Sequence, residues 1–316
     1  MSKLRHILLV SFIILIALTA AGCGAQASPT VTPTIESTPW PTVTPTPENT
    51  PPPSTPTTGG SVDVGGYKLR YQCFGKGTPT IIVEAGGGDK PTISLTWSTV
   101  IQNVYPITRI CIYDRVDGVR TSQDIAEDLH VLLNEIPVPG PYILVAHSIG
   151  GYHARVFAHL YPEKVAGMIL VDTTTTNPET IVALATAYPT YSPNESSGIT
   201  QNRLSETDIF APFPTPGIDG LDFNISNEQV RQAGSLGDLP LIVISHNITP
   251  ADFPGVDLAV SEVYAAVVLK LQADLATLSS KGVFMVAKTS NHFISSHEPQ
   301  IIIDAIFQMV KDIRNH

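Results

Sequence analysis

Charged residues are scarce in this chain of 316 residues, and basic residues are the scarcer kind. Lys and Arg number 18 against 28 Asp and Glu, which gives a formal net charge of −10. Apart from Lys3, Arg5 and His6 near the start, the sequence has no basic cluster. Nucleic acids and other anionic surfaces bind proteins through such clusters. We therefore expect no nucleic-acid partner.

Patterns that bind metals or phosphates are also missing. The nine histidines and three cysteines show no spacing that suits a zinc site. No glycine-rich phosphate loop follows a first strand. The sequence therefore predicts neither a metal nor a cofactor.

The first 27 residues are not expected to belong to the fold. Ile7 to Ala21 is an apolar run of about fifteen residues, shorter than the roughly twenty that cross a bilayer. It ends in Leu-Thr-Ala-Ala-Gly-Cys, which resembles the bacterial lipoprotein signal. That resemblance implies a signal peptide at 1–22, a lipid on Cys23 and anchoring outside the cytoplasmic membrane. The alternative is an ordinary secretory signal, with Cys23 incidental.

A Pro- and Thr-rich stretch follows and separates this signal from the rest. Residues 28–58 are almost entirely Pro, Thr and Ser, a composition that cannot bury enough apolar surface to offset its ordering entropy. We interpret 23–59 as the lipidated cysteine and a disordered stalk. Residues 60–316 are long enough for one large domain.

Within this domain, apolar strand patterns alternate with helical ones. We predict strands at Ser61 to Val64, Tyr67 to Cys73, Thr80 to Glu84, Arg109 to Tyr113, Tyr142 to Ala146, Gly167 to Asp172, Leu241 to Ser245 and Val283 to Ala287. We predict helices at Ser122 to Ile136, Gly151 to Leu160, Ser261 to Leu278 and Pro299 to Ile313. Alternation of this kind indicates a mostly parallel sheet of about eight strands covered on both faces. The segment at about 173–238 breaks the rhythm and is predicted to be an inserted lid.

The sequence Ala-His-Ser-Ile-Gly-Gly at 146–151 joins a predicted strand to a predicted helix. It differs by one residue, Ala146, from G-x-S-x-G, in which a sharp turn exposes the serine hydroxyl at a sheet edge. A helix that begins after the serine directs its N–H groups and positive dipole end towards charge that develops there. This pattern predicts a nucleophilic serine at Ser148.

Four segments in this order resemble the α/β-hydrolase fold family over essentially all of 60–316. They are E-A-G-G-G (84–88), Y-D-R-V-D-G (113–118), A-H-S-I-G-G (146–151) and S-N-H-F (290–293). The resemblance implies the α/β-hydrolase fold with chain order serine, acid, histidine. It also implies that Asp114 and Arg115 order the wall of the pocket.

The resemblance implies that His292, in the loop after the last strand, is the general base. Two residues are candidates for the acid that orients it. Asp172 ends the strand before the predicted lid, a location that a minority of the family uses. Asp252 follows the next strand, at the commoner location, but several residues late. Asp172 is the preferred candidate, although it could instead cap its own loop.

Two backbone N–H groups should form the oxyanion hole. The resemblance implies Ile149, after the nucleophile, and Gly87, in the loop after Glu84. It also places the strand of Cys73 beside that of Cys111, which raises the possibility of a disulfide in an oxidising compartment.

We therefore expect a monomeric serine hydrolase that acts on a small-molecule acyl substrate, by preference a carboxylic ester. Peptidase, lactonase and thioesterase activities use the same residues and stay open. Dehalogenases and epoxide hydrolases of this fold use a carboxylate nucleophile, so Ser148 disfavours them. The alternative from another class is a surface binding protein on the same scaffold, without catalysis.

Overall fold

An eight-stranded sheet forms the centre of the domain. The computed structural model describes residues 56–175, 218–252 and 258–315. The strands are β1 (Thr58–Asp63), β2 (Lys68–Phe74), β3 (Thr80–Glu84), β4 (Ile110–Tyr113), β5 (Tyr142–His147), β6 (Val165–Val171), β7 (Leu241–His246) and β8 (Gly282–Ala287). Their spatial order is β1-β2-β4-β3-β5-β6-β7-β8. The pairs β1–β2 and β2–β4 are antiparallel and the others are parallel, which confirms the predicted sheet.

Helices cover both faces of this sheet. They are α1 (Ser98–Val104), α2 (Ser122–Glu135), α3 (Gly150–Leu160), α4 (Phe223–Ala233), α5 (Leu258–Ala276), α6 (Ile294–His297) and α7 (Pro299–Arg314). Helix α2 begins where Thr121 and Asp124 form a capping box. Helix α7 begins with Pro299, whose missing N–H costs nothing in the first turn.

The sheet divides the core into two layers. Alternate residues of β5 point to opposite faces, with Leu144 in one layer and Ile143 and Val145 in the other. Phe157 of α3 packs in the first layer and Ile306 of α7 in the second. Strands buried on both faces are nearly continuous apolar runs, which is why the sequence predicted them well.

The folded domain begins earlier than the sequence predicted. The predicted stalk, 23–59, overlaps β1, which starts at Thr58. The N–H of Thr57 already donates a hydrogen bond of 2.8 Å to the carbonyl of Cys73, so backbone pairing extends into the Thr-rich stretch. The predicted signal peptide and Cys23 lie outside the described residues.

Part of the predicted lid belongs to the core. Helix α4, in the C-terminal part of 173–238, packs against α2 and α3. Leu221 and Val230 are fully buried there. Residues 176–217, the middle of the predicted lid, lie outside the described ranges. Among the helices within 56–175, 218–252 and 258–315, none is both long and apolar enough for a membrane span.

Cys73 of β2 and Cys111 of β4 form a disulfide in the structure. The antiparallel register places them directly opposite each other, and both are buried. Their sequence separation is 38 residues, so the bond constrains a long loop of the unfolded chain. In the chain-entropy model such a loop corresponds to a stabilisation of about 4 kcal/mol.

Replacing both cysteines, Cys73→Ala/Cys111→Ala, should lower the free energy of unfolding by about 2–4 kcal/mol, because the unfolded chain regains the entropy of that loop. Urea titrations with and without reductant measure the effect. Reductant should destabilise the wild type by a similar amount and leave the double variant unchanged. A wild type that is insensitive to reductant, with both thiols free, would contradict the bond.

Candidate active site

Ser148 lies in a sharp turn between β5 and α3. Its φ of 53° is in the left-handed region, which residues other than glycine seldom adopt. The N–H of Ser148 donates to the carbonyl of Val171, and its own carbonyl accepts from Gly151 and Thr174, each at 3.1 Å. These bonds to β6 and the following loop hold the strained turn in place.

Close packing requires the small residues around this turn. A Cβ on Gly150 would lie 2.4 Å from the carbonyl oxygen of Glu84, and one on Gly86 would lie 2.7 Å from Nδ1 of His147. The loop after β3 and the turn after β5 therefore touch through their backbones. Ala146, where G-x-S-x-G has glycine, is fully buried in β5, and its methyl group packs in the core layer that contains Leu144 and Phe157.

His292 reaches Ser148 from the loop between β8 and α6. The Ser148 hydroxyl lies 3.1 Å from Nε2 of His292, and Nδ1 of the same ring lies 2.6 Å from Oδ2 of Asp172. The carboxylate can only accept, so Nδ1 carries the proton and Nε2 offers its lone pair to the serine. The structure thus joins Ser148, His292 and Asp172 in one hydrogen-bonded chain.

Of the two candidate acids, Asp172 contacts His292. Asp172 follows β6 directly, has a φ of 46° and is 5% exposed. Asp252 lies in the 3₁₀ turn Pro250–Asp252 after β7, where its carboxylate accepts hydrogen bonds of 2.7 and 3.0 Å from Thr249. The geometry therefore favours Asp172 as the acid and gives Asp252 a different set of contacts.

Asp172 remains ionised because of its hydrogen bonds. Burial alone would raise the pKa of this carboxyl group, but hydrogen bonds from His246 and His292 outweigh burial and hold the pKa well below its usual range. Asp172 therefore supports His292 with a full negative charge at neutral pH. The contact with His246 was not predicted from the sequence.

His147, which precedes the nucleophile, supports the loop of His292. Its Nε2 lies 2.9 Å from the carbonyl oxygen of His292, to which it donates. The centroids of the two rings are 4.7 Å apart. Burial, together with the nearby His292, lowers the pKa of His147 to about 4. His147 is therefore neutral at pH 7 and adds no positive charge beside the imidazole of His292.

Gly87 and Ile149, the predicted oxyanion residues, line the same cavity as Ser148. Neither backbone N–H donates a hydrogen bond to any group within 56–175, 218–252 or 258–315. Ile149 is also the N-cap residue of α3, so its N–H lies at the positive end of the helix dipole. Two donors are thus available beside the serine.

A buried ionic network holds the loop that carries Gly87. The guanidinium of Arg115 donates to the carbonyl oxygens of Ala85 and Gly86 at 2.5 and 2.6 Å. It also bonds to Glu84 and Asp219, each at 2.9 Å. Sequence reasoning gave Arg115 a scaffold role but missed both acidic partners, which are 31 and 104 residues away.

A cavity of about 470 Å³ opens beside Ser148 and His292. Its lining combines the backbone of the glycine loop with the apolar side chains of Ile149, Phe223 and Phe293. Within the described part of the chain, no group of three or more His, Cys, Asp or Glu side chains could hold a metal ion. The arrangement can position a small molecule against the serine hydroxyl and the two free N–H groups.

The order of the strands, with its mostly parallel sheet covered by helices on both faces, is that of the α/β-hydrolase fold. A family model described as alpha/beta hydrolase fold matches residues 65–204. Among solved structures, epoxide hydrolase VrEH1 from Vigna radiata aligns with a TM-score of 0.55 at 16% identity, over 81% of this chain and 98% of that one. Proteins of this fold are generally hydrolytic.

Two curated relatives illustrate the range of similar sequences. An "AB hydrolase superfamily protein" from Gibberella zeae is 25% identical over 285 residues, 75% of this chain and 87% of that protein. "Probable transporter efuK" from Hormonema carpetanum is 33% identical over 132 residues, 37% of this chain and 18% of that protein. The chain spans about a fifth of the length of the first curated relatives it matches.

Lowering the pH should destabilise the fold through His147. The unfolded chain takes up a proton on this residue below about pH 6.5, whereas in the folded chain the pKa is about 4. Protonation therefore favours unfolding, and the free energy of unfolding should lose roughly 3 kcal/mol from this residue between pH 6.5 and 4. Urea titrations across this range measure the loss.

His147→Gln, which keeps an N–H donor without a titrating ring, provides the comparison. Its stability should fall less with decreasing pH than that of the wild type. The buried His153, whose pKa is also lowered by burial, contributes equally to both proteins and cancels. Parallel pH profiles in the two proteins would contradict the assignment of a neutral, buried His147.

Proposed function

We propose that the protein is a serine hydrolase that cleaves carboxylic esters or related acyl bonds through an acyl-enzyme intermediate. The observation that carries this proposal is the hydrogen-bonded chain from Ser148 through His292 to Asp172 at the wall of one cavity. A positive φ at Ser148 and a buried charge at Asp172 both cost stability. A nucleophile that must be exposed and activated gives a physical reason for both.

In the first half of the reaction, Ser148 Oγ attacks the carbonyl carbon of the substrate. Nε2 of His292 accepts the hydroxyl proton as the new C–O bond forms. The imidazolium then carries a positive charge, which the ionised Asp172 stabilises through Nδ1–H. Collapse of the tetrahedral intermediate breaks the bond to the leaving group, which takes the proton from His292 and departs as an alcohol.

The carbonyl oxygen becomes negative in that intermediate. The N–H groups of Gly87 and Ile149 are the available donors, and the N-terminus of α3 adds a favourable dipole. Arg115 keeps the Gly87 loop in place by binding the carbonyls of Ala85 and Gly86. Preorganised donors of this kind each contribute about 3–4 kcal/mol to transition-state stabilisation in comparable sites.

The second half of the reaction hydrolyses the acyl-enzyme. A water molecule gives a proton to Nε2 of His292 and attacks the acyl carbon. The bond to Ser148 Oγ then breaks, and the serine recovers its proton from His292. The products are a carboxylic acid and the regenerated enzyme, with no added cofactor in the balance.

The identity of the nucleophile favours acyl transfer over the epoxide chemistry named for the Vigna radiata structure. Epoxide hydrolases of this fold use a carboxylate at the position where this chain has Ser148. The apolar side chains of Ile149, Phe223 and Phe293 in the cavity support an apolar acyl or alcohol group. The segment predicted as a lid also contains the aromatic residues Tyr188, Tyr191, Phe210 and Phe213, which lie outside the described residues.

A fluorophosphonate probe should label the wild type at Ser148 and leave Ser148→Ala unlabelled. With a chain-length series of p-nitrophenyl esters, Ser148→Ala should lose about 10⁴- to 10⁶-fold in kcat. Asp172→Asn should lose about 10⁴-fold, because His292 loses its tautomer and its counter-charge. A lactone, a thioester and a peptide in parallel assays identify the acyl bond that is preferred.

Asp252→Asn is the matched control for Asp172→Asn, and at pH 8 it should lose less than about tenfold. An unlabelled wild type would favour the alternative of a binding protein on this scaffold. Comparable, mild losses in both aspartate variants would contradict Asp172 as the acid while leaving the nucleophile in place.

Anchoring outside the cytoplasmic membrane through Cys23 is a further part of the proposal, and it rests on the sequence. Expressed in a bacterial host with its full leader, the wild type should incorporate radiolabelled palmitate and sediment with membranes. Cys23→Ala should remove both properties, because no thiol remains to accept the lipid. Unchanged sedimentation and labelling in the variant would contradict an anchor on Cys23.

A further inference from the structure

Asp172 contacts a second imidazole besides that of His292. Oδ2 of Asp172 lies 2.6 Å from Nδ1 of His292 and 2.8 Å from Nδ1 of His246. Oδ1 accepts hydrogen bonds from the backbone N–H of His246 at 3.0 Å and from the Ser245 hydroxyl at 3.3 Å. One carboxylate oxygen is therefore shared by two histidines.

This geometry fixes the protonation of Nδ1 in His246. Because Oδ2 only accepts, Nδ1 of His246 must carry a hydrogen, as Nδ1 of His292 does. The ring is cationic if Nε2 carries a hydrogen as well. That atom lies 3.5 Å from Oδ1 of Asp252, a carboxylate that favours a second proton on the ring.

The surroundings of His246 favour its cationic form. Facing it are Asp172 at the end of β6, Asp252 in the 3₁₀ turn and His292 after β8. These residues line a second cavity, of about 430 Å³, together with Gln272 of α5, which is uncharged. Burial would lower the pKa of His246, but Asp172 and Asp252 outweigh burial and raise it.

We propose that His246 is a positioning residue that, held between Asp172 and Asp252, sets how strongly Asp172 supports the imidazolium of His292. The proposal rests on the proposed serine hydrolase function. A cationic His246 competes for the Oδ2 atom that binds His292 and repels a second positive charge nearby. Removing the charge of His246 should therefore strengthen the support that Asp172 gives to the imidazolium of His292.

Asp252 acts through His246 in this arrangement. Its carboxylate contacts the outer nitrogen of His246, whereas the contact of His292 is with Asp172. Removing the charge of Asp252 makes the cationic form of His246 less favourable. Once His246 is removed, Asp252 has no group through which it could act on Asp172. The effect on His292 of removing Asp252 and that of removing His246 should therefore not be additive.

The experiment is the pH dependence of kcat/KM in the wild type, His246→Asn, Asp252→Asn and the double variant. Asparagine offers an N–H donor near the position of Nδ1 but no charge. The acid limb should move to higher pH by roughly half a unit to one unit in His246→Asn and by less in Asp252→Asn. The double variant should shift no further than His246→Asn.

His159→Asn is the matched control, because His159 is exposed near the C-terminal end of α3. Its acid limb should coincide with that of the wild type. A loss of rate at every pH without a shift, as expected for a structural role alone, would overturn the proposal. A shift to lower pH in His246→Asn, or additive shifts, would do the same.

An NMR titration of the His292 ring separates this proposal from the proposed function, since it needs no turnover. The titration midpoint should rise in His246→Asn relative to the wild type even if no substrate is ever hydrolysed. Should His246→Asn fail to fold, Asp252→Asn carries the same test in the same direction. Identical midpoints in folded variants and wild type would overturn the role of His246 whether or not Ser148 is labelled.

Discussion

The geometry of the candidate site depends on one buried negative charge, the carboxylate of Asp172. Burying an ion costs several kcal/mol unless donors replace its water. Here the donors come from Ser245 and His246 at the end of β7 and from His292 after β8. Because β6, β7 and β8 are parallel neighbours, their carboxyl ends supply those donors side by side. The hydrogen bond with which His292 compensates the charge of Asp172 therefore also holds its ring beside Ser148.

The other side of the site depends on Arg115. This buried cation binds two carbonyl oxygens of the glycine loop and two carboxylates, so backbone and charge are satisfied together. Asp219 also accepts from the N–H of Gly88 at 2.9 Å. Asp219, which lies within the segment predicted as a lid, is thus bonded to the loop of Gly87. At the other end of that segment, Thr174 bonds to the carbonyl of Ser148.

Local sequence signals were sufficient for most of the fold and for part of the site. The strands were predicted because burial on both faces leaves apolar runs. Helix α2 was predicted at 122–136, close to its observed bounds. Helices α1, α4 and the short α6 were missed, and α4 lies in a Pro- and Asn-rich segment that was assigned to the lid. Ser148 was predicted from the turn between strand and helix and His292 from the resemblance, and the structure places the two within hydrogen-bond distance. Asp172 was preferred to Asp252, but both stayed candidates, because the choice depends on which strand end faces His292 in space.

The contacts that the sequence did not indicate all join segments distant along the chain. His246 is the last residue of the buried strand β7, and no local feature of the sequence indicates that its ring contacts Asp172, 74 residues away. Asp172 itself has a φ of 46°, which its local sequence does not indicate either. A scaffold that only bound ligands would gain stability by replacing the strained Ser148 and the buried, shared carboxylate with ordinary residues. The strained serine and the shared carboxylate both reduce the stability of the fold, yet together with the neutral His147 they suit proton transfer through His292. This combination favours the proposed hydrolase over the binding protein.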